Sequence, residues 1–169
     1  LAAAGCRQIT YGVESGSYRI RREVMRRPVR GRRIREVFRW TREAGIRVTA
    51  NYMLGLPGES REDMLATAEI LADLKVDGVK LHLLHVLKNT PLGQMHAEHK
   101  IEMLDMDEYV ELVVDVVERL PRETLIHRLT GDGPRNQLLA PLWSLKKWEV
   151  LNAIDAEFVR RGSRQGDRC

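Results

Sequence analysis

The sequence predicts an α/β fold with parallel strands, and three observations carry that expectation. Apolar residues alternate with polar ones, or run continuously, over Arg7–Glu14, Arg47–Leu54 and Gly78–Val86, while the stretches between repeat at helical spacing. The first two strand-like stretches each end in a turn rich in glycine, serine or proline; the clearest junction is Asn51–Ser60, Asn-Tyr-Met-Leu-Gly-Leu-Pro-Gly-Glu-Ser. The order strand, helix, strand, helix, strand implies parallel neighbours joined by right-handed crossovers. With 169 residues, 43% of them hydrophobic and 31% charged, the chain suits one domain with a sizeable core.

Taken in order, the opening Leu-Ala-Ala-Ala-Gly-Cys resembles the last turn of a helix closed at Gly5, and we expect the chain to be the carboxyl-terminal part of something longer. In Arg7–Glu14, Ile9, Tyr11 and Val13 share one face and Gln8, Thr10, Gly12 and Glu14 the other. An arginine-rich segment broken by Pro28 and Gly31 leads to a helix carrying Ile34, Val37, Phe38 and Ala44, which Gly45 closes. After the strand Arg47–Leu54, Ser60 caps a helix with Asp63 at the capping-box position and Met64, Leu65, Ala68, Leu71 and Ala72 as its stripe. Gly78–Val86 is the third strand.

Past Val86 the rhythm changes. A short helix is expected over Thr90–His99, and Asp105 with Glu108 caps a strongly apolar helix ending near Leu120-Pro121. Thr124–Leu129 reads as a further strand and 130–142 as a loop. A final helix starts at Ser144 with Leu145, Trp148, Leu151, Ile154 and Phe158 inward, and the tail beyond Gly162 is expected to fray.

Composition excludes several classes. No apolar run approaches the ~18 residues of a membrane span, and no signal-peptide pattern opens the chain, so no membrane partner is expected. Two cysteines near opposite ends, Cys6 and Cys169, give no disulfide framework, and a reducing, cytoplasmic setting is expected. The formal charge of +4 is mildly basic.

The strands carry unexpected polar sets: Gln8, Thr10 and Glu14; Thr49 and Asn51; Lys80 and His82. A parallel strand covered by helices on both sides should read as nearly all apolar. Three successive exceptions suggest a partly open barrel whose lumen holds a polar ligand at the strands' carboxyl ends, with mutual hydrogen bonding in a closed interior as the alternative. On this reading residues 1–88 form barrel strands and helices, 89–162 a mostly helical extension, and 163–169 a flexible tail.

Two stretches, Tyr11-Gly12-Val13-Glu14-Ser15-Gly16-Ser17 and Met53-Leu54-Gly55-Leu56-Pro57-Gly58-Glu59, resemble the fourth- and fifth-strand motifs of radical S-adenosylmethionine (radical SAM) enzymes, one βα unit apart. Residues 81–92, 126–135 and 140–144 look like an uncharacterised bacterial subgroup related to the oxygen-independent coproporphyrinogen oxidase and Elongator-like branch. The resemblance implies the carboxyl-terminal half of a partial (β/α)6 TIM-type barrel that binds S-adenosylmethionine and a 4Fe–4S cluster served by an electron donor. Reductive cleavage would give a 5′-deoxyadenosyl radical that takes hydrogen from an unknown substrate. It assigns Gly12, Glu14 and Ser15 to the ribose and methionine side, Asn51, Met53, Gly55, Pro57 and Gly58 to the adenine side, and His82, Leu84 and His85 to the rest of that pocket.

The family's three cluster cysteines, spaced C-x-x-x-C-x-x-C, have no counterpart here, so the chain alone is expected to be inactive and to hold no metal. Its Gly-rich second-strand motif is missing too. His82 and His85 sit three apart on a strand and would face opposite ways, which disfavours zinc. A loop cluster, His127, Arg128, Asp132 and Arg135, is a candidate for the substrate side, or Asp132 and Arg135 pair to fix the loop. The alternative function is a non-catalytic α/β binding module that takes RNA or tRNA through the Arg19–Arg35 segment. A solvated helical face is the favoured reading of that segment, and pairing with Glu23, Glu36 and Glu43 would count against an RNA site.

Overall fold

The computed structural model describes residues 1–169. Strand β1 (Gln8–Glu14) leads through a π-helical turn, Ile20–Val24, to helix α1 (Gly31–Glu43). Then come β2 (Arg47–Leu54), α2 (Arg61–Asp73) and β3 (Gly78–Leu83). A two-residue strand β4 (Val86–Leu87) precedes α3 (Pro91–Ala97) and α4 (Met106–Arg119). The chain ends with β5 (Leu125–Arg128), β6 (Leu138–Ala140) and α5 (Lys147–Arg161). The main sheet is parallel throughout in the order β1-β2-β3-β5, as an α/β chain with βα repeats requires.

One face of this sheet is sealed. Val48, Ala50, Tyr52 and Leu54 of β2 and Val79, Leu81 and Leu83 of β3 are buried in one cluster with Met64, Ala68 and Leu71 of α2 and Leu112, Val113 and Val116 of α4. Each such aliphatic side chain contributes about 1.5–3 kcal/mol by leaving water, which makes the strand alternation decisive for register. Tyr52 keeps its hydroxyl satisfied by donating to Met64 O.

The helix starts follow their caps. Ser60 Oγ accepts from Asp63 N at 3.1 Å, and Thr90 Oγ1 accepts from Gly93 N at 3.0 Å. Asp105 and Glu108 form a reciprocal capping box, with Oδ1 accepting from Glu108 N at 2.8 Å and Glu108 Oε2 from Asp105 N at 2.9 Å. Asp105→Ala is expected to lower unfolding stability by about 1 kcal/mol in urea titration, with the slope unchanged. A loss below a few tenths would mean the α4 packing holds the helix start without its cap.

Three expectations need correction. Strand three stops at Leu83, not Val86: Leu84 N donates to Leu54 O at 3.0 Å, and Val86 turns away to pair antiparallel with Ala140. The strand expected over Thr124–Leu129 is present as β5 and joins the main sheet beside β3. In α5, Trp148 is 77% exposed while Val150 and Ile154 are fully buried, because the helix begins at Lys147 after a 3-10 turn over Leu142–Leu145. The tail does not fray: Arg168 N donates to Glu118 O at 2.8 Å, and Gln165 Nε2 donates to Pro121 O at 2.6 Å and Thr124 O at 2.7 Å.

Candidate functional site

Because the four main strands run one way, their carboxyl ends share one edge of the sheet. On the face away from the sealed core, Thr10 pairs with Thr49, Gly12 with Asn51, Asn51 with Lys80, and Met53 with His82. Asn51, Met53, Lys80 and His82 are only half-buried there, which is why these strands tolerate polar residues that a doubly covered strand would not. Thr49 Oγ1, Asn51 Oδ1 and His82 Nε2 are buried and have no hydrogen-bond partner. Leaving such a group unpaired costs about 1–3 kcal/mol, so three on one face of the sheet are an exception to the usual pairing of buried polar atoms.

Glu14 ends β1 in a strained position. The register slips between Gly12 and Glu14, and Glu14 adopts φ +63°, the left-handed region where a side chain is disfavoured. A Cβ at Gly12 would lie 2.7 Å from Glu14 Oε1 and 3.4 Å from Arg27 Nη1, so a glycine is needed for the carboxylate to lie where it does. Burial raises the Glu14 pKa, with the Arg27 charge opposing.

The second motif forms the turn. Gly55 and Gly58 have φ of +82° and +69°, with half-buried Pro57 between them, and Gly55 packs against Leu104. Arg19 crosses to it, donating to Gly58 O at 2.7 Å and to Asp63 Oδ2 at 3.1 Å. Leu84 is buried with Ile20 and Leu56 in a small apolar cluster that Met53 borders, so its side chain serves packing. Ser15 is fully buried and donates to Glu59 Oε1, joining the two motifs.

His82 and His85 converge, contrary to the opposed orientation expected of a continuous strand, because β3 has ended before His85. A Cβ on Gly131 would sit 3.5 Å from His85 Cε1 and 3.8 Å from His82 Nδ1. Ser144 Oγ donates to Pro141 O at 2.8 Å, so the 3.1 Å contact with His85 makes Nε2 of that ring the donor. Burial lowers both histidine pKa values; Arg128, Lys80 and His85 lower that of His82 further, and Asp132 opposes the shift of His85. These shifts favour the neutral form of both rings.

The loop cluster does not assemble as one group. His127 packs beside Gly78 at the start of β3, the opposite end from the turn motif. Arg128 pairs in register with Lys80, Asp132 pairs with Lys147 at 3.2 Å rather than with Arg135, and Arg135 is exposed with no ion-pair partner. In the arginine-rich segment, Arg22 pairs with Glu23, Arg32 and Arg33 with Glu36, and Arg19 with Asp63; Arg39 beyond it pairs with Glu43. Arg21 is buried and donates to Val29 O and Ser15 O. Arg19 and Arg21 reach outside the segment, and the other pairs lie within it or along α1. Sequence reasoning gave Glu59 no role and placed Arg19 and Arg27 only in the candidate RNA-binding segment; the partners of all three lie well off in sequence, and only the acid closing Gly-Leu-Pro-Gly-Glu was a visible signal.

The profile of the radical SAM superfamily matches residues 1–71, and that of the radical SAM carboxyl-terminal domain matches residues 76–160. The chain belongs to the radical SAM superfamily. Among its relatives, the uncharacterised protein YtqA of Bacillus subtilis is 50% identical over 125 residues, 74% of this chain and 39% of that protein. The uncharacterised protein MJ0486 of Methanocaldococcus jannaschii is 38% identical over 125 residues, again covering 39% of its length. The fold matches that of archaeal Methanocaldococcus infernus Elp3 with TM-score 0.81 over 96% of this chain and 38% of the other, at 18% identity. This radical SAM chain thus spans about two fifths of the length of those relatives. No helix in it is long and apolar enough to cross a membrane.

Proposed function

We propose that this chain supplies the adenosine-side wall of an S-adenosylmethionine site in a radical SAM enzyme, as part of a partial (β/α)6 barrel. The observation that carries the reading is the unpartnered, buried pair Asn51 Oδ1 and His82 Nε2, on the face whose β1 end carries the Glu14 carboxylate. A nucleoside matches that chemistry. A ribose offers two hydroxyl donors to Glu14, and an adenine offers an amino group and ring nitrogens to an amide oxygen and a neutral imidazole. Met53 gives apolar surface, and Gly55 and Gly58, free of side chains, let the backbone at the turn approach a ring closely. His85 and Asp132, on the loops beyond β3 and β5, and Arg128, the last residue of β5, are assigned to the substrate side. His127 is left out because it packs at the far end of β3.

When bound at a reduced 4Fe–4S cluster, S-adenosylmethionine supplies a 5′-deoxyadenosyl radical for hydrogen abstraction. Cys6 and Cys169 do not fit that cluster, which needs three convergent thiolates; they and the electron donor's docking site belong elsewhere in the intact gene product. The RNA-binding alternative is not advanced, since the Arg19–Arg35 side chains are largely tied to carboxylates and carbonyls.

The test is anaerobic reconstitution of the intact gene product with iron and sulfide, then reduction with dithionite in the presence of S-adenosylmethionine. Methionine and 5′-deoxyadenosine are the expected products. A fully loaded cluster that yields neither product, in a protein that does not bind S-adenosylmethionine, would overturn the reading.

A further inference from the structure

Ser15 and Glu59 lie 44 residues apart, one at the end of each signature motif, yet their side chains meet. Ser15 is fully buried, and its atoms are all engaged. Its hydroxyl donates to Glu59 Oε1 and accepts from Ser17 N at 3.1 Å, its carbonyl accepts from Arg21 Nη1, and its N–H donates to Val13 O at 2.8 Å. The next residue is fixed as well, Gly16 N donating to Thr67 Oγ1 at 2.7 Å. Immediately before Ser15 stands Glu14, bulged out of register at φ +63°. Such a conformation persists only where its surroundings over-determine it. Among the groups that fix Ser15, Glu59 is the one that comes from the turn motif.

We infer that Glu59 is a positioning residue: acting through Ser15, it holds Glu14 in its left-handed conformation, so that the two motifs work as one clamp on the ribose of a bound nucleoside. The inference rests on the S-adenosylmethionine reading for the identity of the ligand, but the coupling itself does not.

Glu59 is also set to respond to pH. Its other oxygen, Oε2, is buried without a partner. The groups facing it are Tyr52 of β2, Arg19 after β1 and Asp63 of α2, and the cavity it lines brings His99, Lys100 and Glu102 and, from α4, Glu108. Burial raises its pKa to about 7, Asp63 adding to the rise while the Ser15 hydrogen bond and Arg19 oppose it. As pH rises through that value Glu59 ionises, and within the folded state, where the carboxylate stays buried, the Ser15 hydrogen bond becomes charge-assisted and stronger. The clamp tightens.

The experiment measures S-adenosylmethionine binding to the intact gene product from pH 6 to 8.5, in wild type, Glu59→Gln and Glu59→Ala, with amide hydrogen exchange at residues 14–17 recorded alongside. Wild-type affinity is expected to rise with pH through about 7. Glu59→Gln should match the wild type's low-pH affinity and lose the rise near neutrality. Glu59→Ala should show no rise, bind roughly tenfold more weakly than wild type above neutrality, and speed exchange at Gly16 and Ser17, with Gln restoring the slow exchange in large part. An unchanged pH profile in Glu59→Gln, or slow exchange retained in Glu59→Ala, overturns the inference. If wild type does not bind the ligand yet Glu59→Ala still loosens residues 14–17, the ligand reading fails and the coupling stands. A Glu59→Ala protein that unfolds is replaced by Ser15→Ala, which removes the same link from the other side and should reproduce the lost pH dependence.

Discussion

Replacing Arg161 by methionine is expected to lower the unfolding free energy by about 3 kcal/mol, because it removes a counter-charge shared by three shielded carboxylates. Arg161 Nη1 lies 2.8 Å from Asp115 Oδ1 and 3.7 Å from Glu118 Oε2, and its Nε 2.6 Å from Glu157 Oε1. The side chains are shielded, with 16% of Arg161, 11% of Asp115 and 1% of Glu118 exposed. Arg61 and Arg168 also reach Asp115, and Arg168 reaches Glu118, so the loss is set at the lower end of the range for a broken buried pair. Urea denaturation should show a lower midpoint at constant slope, and a loss under 1 kcal/mol would mean that Arg168 alone suffices.

The same network fixes the acid limb of stability. Burial opposes ionisation of Asp115, but hydrogen bonds from Arg161 and Arg61 and their charges outweigh it and hold the carboxyl below its ordinary value. Hydrogen bonds from Arg160 and Arg161 bring Glu157 down to about 2. Groups depressed in this way bind fewer protons folded than unfolded. Their contribution is complete above the ordinary carboxylate range near pH ~4 and is lost as pH falls toward the folded values. Glu59 works in the opposite direction: raised to about 7, it favours the folded state at low pH, and that contribution is lost as pH rises through 7. Arg161→Met should therefore flatten the acid limb and leave the neutral one unchanged.

Why the sequence reveals some of this and not the rest follows from the range of the signals. The β1-α1-β2-α2-β3 order, the caps at Ser60 and Asp105, and the polar inner face are all local patterns, readable within a few residues. The end of β3 is not, since Leu83, Leu84 and Val86 continue an apolar run. What divides them is tertiary: Leu84 joins Ile20 and Leu56, and Val86 pairs with Ala140. The phase of α5 misleads for a related reason. Its inward face includes Glu157 and Arg161, charged residues that a hydrophobic count assigns to solvent, and Trp148 is left outside. The tail is held by partners on α4 that no local rule names. In the site, the motif residues were legible, whereas the Ser15–Glu59 link spans two motifs that a linear reading treats one at a time.

Glu14→Gly is expected to move stability and binding in opposite directions. At φ +63° a glutamate pays a backbone penalty that glycine avoids, on the order of 1 kcal/mol, partly offset by glycine's greater freedom when unfolded. Removing a half-buried carboxyl whose burial disfavours its ionised form adds to the gain. The folded state should therefore gain about 0.5–1 kcal/mol, seen as a higher urea midpoint. Binding should lose the charge-assisted hydrogen bonds to the two ribose hydroxyls, roughly 1.5–3 kcal/mol, or about 10- to 150-fold in the dissociation constant for S-adenosylmethionine. Glu14→Gln separates the two effects: it keeps the strain and an acceptor but not the charge, so its stability should stay near wild type and its affinity fall between the other two. A strained conformation is retained where it does work for the ligand. A glycine variant that is less stable, or that binds as tightly as wild type, would show that the bulge at Glu14 serves the fold rather than the site.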